Sequence, residues 1–589
     1  MRPPAVARVG VSSRRALRLH RRALWIGPAL LLVLGVLLRL LLLRTPESLE
    51  MDEQMLAVSI ATRPAWALLG PLELQQVAPP LFLLLQRAAV ALVGVRDTAF
   101  RLLPFAAAVA TPFVVLLVVR ALRLPAEARL LAVALACVTP EPLLYAAITK
   151  PYATDALVAA VLVLLAVRVL DAPEERARWT WLIVGGVAAA ALSIPAPFVL
   201  AGAGAALVAS PRVRGQPRVW RRLAVAAALW VATFGAIYLA MYRPASHNIG
   251  MRRFWAGRFL ADAFSRGAGA SELAGGAAEP LFRLDDGVPS TYVLVLAPLL
   301  TLAGWAWLAR RRGLATALLL LVPFVLAVMA SLLRQYPFGG RVMQFAAPLA
   351  CVAIGAGVWS VCAMARGWTR RAAFVLLSAA LLLPALRYSL FRLRHAEQWE
   401  GAAPLARDFL ARAPAGSAVY VYARGVPAWL LYTTDWEAPD GARVARLLAA
   451  MERLGFNSGN VPSRRRPVAP EEGAGLAFPF RGGTELIGVP AGTGPDDAGR
   501  SSPVPDSGWA EHETRRLRAA AHPDVWLFLT HVTPAVAEPL LDAVRAAGGR
   551  ETYSRTLHGS ALYRYAFPGD ERARSPEADV RSREIVSNR

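Results

Sequence analysis

The stretch Leu24–Leu43 reads LWIGPALLLVLGVLLRLLLL, twenty residues in one apolar run. As an α-helix it would be about 30 Å long, the thickness of a bilayer's hydrocarbon core. Arg14, Arg15, Arg18, Arg21 and Arg22 precede it. The run is too long for a signal-peptide core and has no small-residue cleavage site, so it reads as an uncleaved first span with a cytoplasmic N-terminus. Eleven more apolar segments follow, at roughly 79–95, 101–119, 130–147, 152–170, 179–192, 195–209, 222–243, 291–309, 314–333, 342–364 and 371–391. The break Ser193-Ile194-Pro195-Ala196-Pro197 divides a stretch otherwise too long for one span, because proline cannot continue a helix undisturbed. The whole chain agrees: 589 residues, 56% hydrophobic and only 18% charged, with a mean hydropathy of +0.42. These figures exclude a disordered scaffold and a soluble multidomain enzyme.

A net charge of +24 would point to nucleic acid in a soluble domain, but here the arginines cluster in short loops between apolar segments, as the positive-inside rule requires. We expect no nucleic-acid partner. The Arg-rich connections at 120–129, 171–178, 211–222, 310–313 and 365–371 belong on one, cytoplasmic, face. That leaves 44–78, 145–155, 244–290, 334–341 and the C-terminal region outside, which needs an odd number of spans. About 11–13 spans follow, with 79–95, interrupted by Gln86 and Arg87, entering only partly or lying in the interface. Cys137, Cys351 and Cys362 lie in apolar segments without CxxC spacing, which argues against a disulfide framework or zinc site.

The expected fold is mainly α: a polytopic transmembrane helical bundle followed by a small soluble α/β domain. Residues 1–23 form a cytoplasmic basic N-terminus, and 24–395 the membrane domain with external loops 44–78 and 244–290. An extracytoplasmic α/β domain takes 396–568 and a disordered tail 569–589. Beyond 395 apolar runs shrink to strand length. Ser417–Tyr422, Val525–Leu529 and Leu562–Ala566 read as strands, and Val536–Ala547 as an amphipathic helix.

Ionisable residues gather on the outer face. Leu49-Glu50-Met51-Asp52-Glu53-Gln54 lies just beyond the first span, where a short interfacial helix would hold Asp52 at the membrane surface. Solvated loop charge is the simpler alternative. Lys150-Pro151-Tyr152-Ala153-Thr154-Asp155 stands at the mouth of a span. Lysine and aspartate there are costly unless they pair, face a cavity or snorkel. Lys150 is also the only lysine beside 64 arginines, a hint that its position needs an ammonium. Arg334-Gln335-Tyr336-Pro337-Phe338-Gly339-Gly340-Arg341 puts two arginines on the face where positive charge is normally depleted. They read as anion ligands, or as a structural partner of Asp52 or Glu53. Carboxylates, a lysine, arginines and tyrosines together suit transfer from a lipid phosphate. His247, His395 and His531 lack ligand-like spacing. Phe254 and Trp255 could stack on a sugar, but headgroup anchoring is the stronger reading.

The Asp52-Glu53 pair, the Pro79-Pro80-Leu81 entry to an apolar segment, Lys150-Pro151-Tyr152-x-x-Asp155 and the Tyr336-Pro337-Phe338-Gly339-Gly340-Arg341 loop together resemble the GT-C membrane glycosyltransferases. The nearest branch is the protein O-mannosyltransferase and aminoarabinose-transferase group, glycosyltransferase family 39. The resemblance covers roughly 20–395. It implies that Asp52 is the catalytic acid/base with Glu53 its neighbour, that Asp155 is a second acidic position, and that Lys150 and Arg341 contact donor phosphate. Tyr152, Arg334 and Tyr336 join the binding set. Two departures stand out: relatives carry His or Lys where Ala78 stands, and an acidic residue near Ile148. These put metal binding and the donor in doubt.

The expected function is transfer of a sugar from a polyprenyl-phosphate donor to a lipid, glycan or protein acceptor outside the inner (plasma) membrane, with inversion and Asp52 as base. No nucleotide site is expected, since no phosphate-cradling Gly-rich loop is present; a divalent metal is left open. The alternatives are a transporter or flippase of a lipid-linked saccharide and a non-catalytic membrane assembly protein.

Overall fold

The computed structural model describes residues 11–43 (side chains from Ile26), 48–72, 74–247, 251, 254–282, 291–394, 400–454, 476–488, 508–520 and 524–567. The tail 569–589 and His395 lie outside them. The chain divides into two compact units, the first running to Trp399 and the second holding Glu400–Thr434, Asp440–Leu454 and the chain from Arg466.

The first unit is helical. Among the described residues eight helices are long and apolar enough to cross a membrane: Ile26–Leu43, Asp97–Ala121, Tyr152–Asp171, Pro217–Ser246, Tyr292–Arg312, Leu314–Leu332, Gly340–Cys362 and Gly367–Arg394. The other four apolar segments form the shorter helices Pro80–Val93, Ala126–Val138, Arg176–Leu192 and Ala196–Ala209. The proline-rich break falls between the last two, with Pro195 as the residue that caps Ala196–Ala209. Many apolar side chains face outward, Leu30 at 65%, Val231 at 71% and Leu376 at 69% exposed, a surface that water disfavours and lipid accepts.

Inside the bundle, association rests on close backbone approach rather than on hydrophobic burial. Helix Ala347–Cys362 is the clearest case. A Cβ on Gly357 would lie 1.9 Å from the Leu300 carbonyl oxygen, and one on Gly304 would lie 1.9 Å from that of Ala353. Only glycine lets helices Thr291–Arg312 and Ala347–Cys362 touch backbone to backbone. Arg39, in the middle of the first apolar run, is 1% exposed and donates to the carbonyls of Gly35 (3.0 Å), Ala136 (2.9 Å) and Cys137 (3.2 Å). It thereby satisfies carbonyls at the C-terminal end of helix Ala126–Val138, which hydrocarbon could not. Gln86 and Arg87, which interrupt the second apolar segment, are spent the same way. Gln86 donates to the Phe100 carbonyl at 2.7 Å, and Arg87 to those of Ile60 and Ala61 at 3.0 Å each.

The second unit holds a six-stranded mixed sheet, β1 (Ala418–Val421), β2 (Ala477–Phe480), β3 (Gly483–Ile487), β4 (Asp524–Thr530), β5 (Arg550–Leu557) and β6 (Ser560–Ala566). The order is β2-β3-β1-β4-β6-β5, with β3, β1 and β4 parallel. Alternation sends Tyr420, Leu527 and Leu529 to one face, where Leu517 and Leu540 of helices Trp509–Ala519 and Pro534–Ala546 cover them. Trp526 and Phe528 go to the other face, packed on Phe409 and Trp429 of helices Ala402–Arg412 and Val426–Thr433. None of the large exposed apolar side chains among the described residues belongs to this unit.

Candidate active site

Three loop-to-helix junctions of the first unit build the site. Helix Met51–Thr62 starts at a capping box, with Glu50 and Glu53 satisfying each other's backbone N–H groups. This fixes Asp52 in the first turn. Glu53 also accepts from the backbone N–H of Thr149, which ties that turn to the segment carrying Lys150. Lys150 ends this segment just before Pro151, the residue that caps helix Tyr152–Asp171. The third junction is the turn Pro337–Gly340. Gly339 (φ +92°) and Gly340 (φ +55°) are left-handed, conformations that side chains resist. The Gly340 N–H donates to Glu279, and the Phe338 N–H to the Arg258 carbonyl at 3.0 Å. So clamped, the turn presents Arg341.

These junctions converge on Asp52. Lys150 Nζ lies 2.7 Å from Asp52 Oδ1, and Arg341 Nη1 lies 2.9 Å from Oδ2. Lys150 also donates to Gln76 Oε1 at 2.6 Å and is only 6% exposed, whereas a snorkelling lysine would end in water. Burial by itself would raise the proton affinity of Asp52. The charges of Lys150 and Arg341, with hydrogen bonds from Lys150 and Gln76, outweigh burial and hold the carboxyl well below the usual carboxylate range. Gln76 follows two left-handed residues, Leu74 and Gln75, both at φ +56°. Consecutive non-glycine residues in that region mark strain held by the surroundings.

Aromatic rings surround Arg341. Its Cζ lies 5.9 Å from the ring centroid of Tyr152, 5.5 Å from Phe254 and 5.4 Å from Trp255, all within cation–π range. Tyr152 in turn packs edge-on against Tyr145 at 5.2 Å. Asp155, one turn into helix Tyr152–Asp171, is 4% exposed, and its Oδ1 has no hydrogen-bond partner. The ion pairs of Lys150 and Arg341 go to Asp52 and not to Asp155.

The expected residues thus separate. Asp52, Lys150, Arg341 and Tyr152 stand together, and Glu53 adjoins them through the backbone. Arg334 points elsewhere, bonding Asp262 Oδ1 from Nε at 3.0 Å and from Nη2 at 2.7 Å. The Tyr336 hydroxyl donates to the Val342 carbonyl at 2.7 Å, closing the turn ahead of Arg341's helix. Gln76, Tyr145 and Glu279 carried no sequence signal. Phe254 and Trp255 face Arg341. Ala78 and Ile148 offer no ligand atoms in their side chains. Among the described residues no three His, Cys, Asp or Glu side chains stand together as a metal set. Each oxygen of Asp52 already faces a cation, which a divalent ion would have to displace. The donor set around Asp52 therefore does not fit a metal.

No family model and no curated protein matches the chain. Among solved structures it is similar to ArnT from Cupriavidus metallidurans bound to undecaprenyl phosphate, at 12% identity and a TM-score of 0.47, covering 91% of this chain and 97% of that one. It is also similar to the oligosaccharyltransferase AglB from Archaeoglobus fulgidus in complex with an inhibitory peptide and a dolichol-phosphate, at 13% identity and 0.45, covering 91% and 74%. A third likeness, to an Archaeoglobus fulgidus oligosaccharyltransferase tethered to an acceptor peptide, has 12% identity and 0.42, covering 69% of this chain and 63% of that one. The chain therefore spans under two thirds of this third structure's length. These neighbours are GT-C glycosyltransferases. The likeness is one of chain trace, and the roles of the residues above rest on their own geometry.

Proposed function

We propose that the chain is a membrane glycosyltransferase that moves a sugar from a polyprenyl-phosphate donor to an acceptor on the extracytoplasmic side of the plasma membrane, with inversion. The observation that carries this reading is one carboxylate held between an ammonium and a guanidinium drawn from residues 98 and 289 positions away. In the reaction Asp52 takes the proton of the acceptor O–H or N–H, and the freed electron pair attacks the anomeric carbon from the face opposite the phosphate. The bond from that carbon to the phosphate oxygen breaks, and its electrons leave with the lipid phosphate. Lys150 and Arg341 receive the charge that develops there.

The depressed basicity of Asp52 fits this scheme rather than opposing it. Without donor, both cations lie on Asp52 and make it a weak base. A donor phosphate competes for the same two cations, and each contact it takes returns basicity to Asp52. The base is thereby strengthened when there is a donor to react. Tyr152, with its ring against Arg341, lines the site; acceptor class, whether lipid, glycan or protein, is set by groups beyond these.

The test adds radiolabelled polyprenyl-phosphate sugar to purified protein in nanodiscs, with and without cell-envelope extract as acceptor. Acceptor-dependent release of lipid phosphate is the expected result. Movement of intact donor across the membrane would mark a flippase instead, and neither outcome would mark an assembly protein.

A further inference from the structure

Phe254 and Trp255 are not needed to hold Arg341, which Asp52 already pairs. Their rings meet each other edge to face, with centroids 5.1 Å apart and planes at 87°. Each presents a face to the Arg341 guanidinium, yet Phe254 is 56% exposed. Much of its surface is therefore open, on a ring that stands against Arg341. An aromatic face is negative, and it attracts positively polarised edges. The C–H face of a pyranose ring is such an edge. Connectivity then places the sugar: it is joined to the phosphate through the bond that breaks, so its ring must sit beside whatever cation holds that phosphate. The open aromatic surface lies beside Arg341.

We propose that Phe254 and Trp255 form the platform on which the donor's sugar ring stacks, making them specificity-determining residues for the saccharide. The inference rests on the phosphate role proposed for Arg341. The rings add affinity only when a sugar is present, while Arg341 and Lys150 hold the phosphate in either case.

The test is equilibrium binding of three probes to the full-length protein in nanodiscs: polyprenyl phosphate, polyprenyl-phosphate glucoside and polyprenyl-phosphate mannoside. Wild-type protein should bind at least one glycoside more tightly than the bare phosphate. Phe254→Ala and Trp255→Ala should each weaken that glycoside by about 2- to 10-fold, the scale of a lost aromatic contact, and leave the bare phosphate unchanged. Trp255→Phe should restore most of the loss. Equal weakening of all probes would overturn the platform, since the rings would then serve only Arg341. No weakening of any probe would overturn it too, returning the rings to headgroup anchoring, as would a wild type with no preference for sugar. Arg341→Gln should weaken every probe. If it weakens none, the phosphate reading fails, and that result is distinct from the glycoside-to-phosphate ratio on which the platform stands or falls.

Discussion

Replacing Lys150 separates a phosphate ligand from a generic positive charge. The ammonium nitrogen touches Asp52 Oδ1 at 2.7 Å and Gln76 Oε1 at 2.6 Å. In Lys150→Met both contacts vanish and Asp52 keeps Arg341 as its one cation. Loss of a charge-assisted contact to donor phosphate should then cost about 1.5–3 kcal/mol, or about 10- to 150-fold in donor affinity. Lys150→Arg tests shape. A guanidinium is planar and larger than an ammonium, and two acceptors at contact distance leave it no room without moving Asp52 or Gln76. We expect donor affinity and turnover to fall in both variants, and further in Lys150→Met. The assay is donor binding and single-turnover transfer in nanodiscs, with thermal unfolding to show that each variant is folded. Full affinity and turnover in Lys150→Arg would refute the reasoning. The rarity of lysine in this chain would then carry no meaning, and Arg341 would become the leading phosphate ligand.

Asp52→Asn keeps the shape and removes the basicity, so turnover should fall by about 100-fold or more, while donor affinity should hold or rise because no carboxylate then competes for Lys150 and Arg341; near-normal turnover would return Asp52 to a structural ion pair. Because Asp52 is held below the usual carboxylate range, its ion pairs contribute stability above about pH 4 that is lost as pH falls further. In the free enzyme it should give kcat/KM no acid limb above about pH 4. Since donor phosphate draws the cations away, the acid limb of kcat should lie at higher pH, and a kcat limb at or below that of kcat/KM would contradict the competition. Gly357→Ala forces a Cβ against the Leu300 carbonyl and should destabilise the bundle by about 1–3 kcal/mol, read as a lowered Tm; an unchanged Tm would mean the helices pack otherwise. Single cysteines placed in 44–78, 334–341 and 396–560 should react with an impermeant thiol reagent in spheroplasts, and labelling of 120–129 or 211–222 instead would reverse the proposed sidedness.

Apolar runs and proline breaks made the bundle legible, since both act locally: Leu24–Leu43 needs only its own composition, and Pro195 only its own ring. In the second unit the apolar strands β1 and β4 stood out, as did the largely apolar β6. The missed strand β5, Arg550–Leu557, is an edge strand with a largely exposed, polar sequence, so neither alternation nor hydrophobicity marked it. β2 and β3 are four and five residues long and sit in a Gly- and Pro-rich stretch that reads as loop. At the site, residues with a charge out of place were legible, and residues acting through neutral contacts were not. Gln76 has no distinguishing neighbours in sequence; the strained pair Leu74 and Gln75 before it shows only in the backbone. Arg334 and Arg341 looked equivalent because sequence could not reveal Asp262, which takes Arg334 away. Nothing local in the sequence links Phe254 and Trp255 to Arg341, which follows Trp255 by 86 positions.

The adjacency of Asp52 and Glu53 follows from the same geometry. Successive residues on an α-helix point about 100° apart, so one turn can aim two carboxylates at different targets. Glu53 accepts from the Glu50 N–H at 2.9 Å and from Thr149, both backbone groups whose positions do not depend on a rotamer. Asp52 meets side chains, the cations of Lys150 and Arg341 and the amide of Gln76. One carboxylate therefore sets the distance between the helix and the Lys150 segment, and the other can exchange its partners without disturbing that distance. A single acidic residue could not do both. Had Asp52 also held the backbone, releasing Lys150 and Arg341 to an incoming phosphate would have left the carboxylate tied to amide donors, which depress basicity as cations do. Separating the two tasks keeps the site assembled while the charge balance at Asp52 changes, which is what a base that strengthens on donor binding requires.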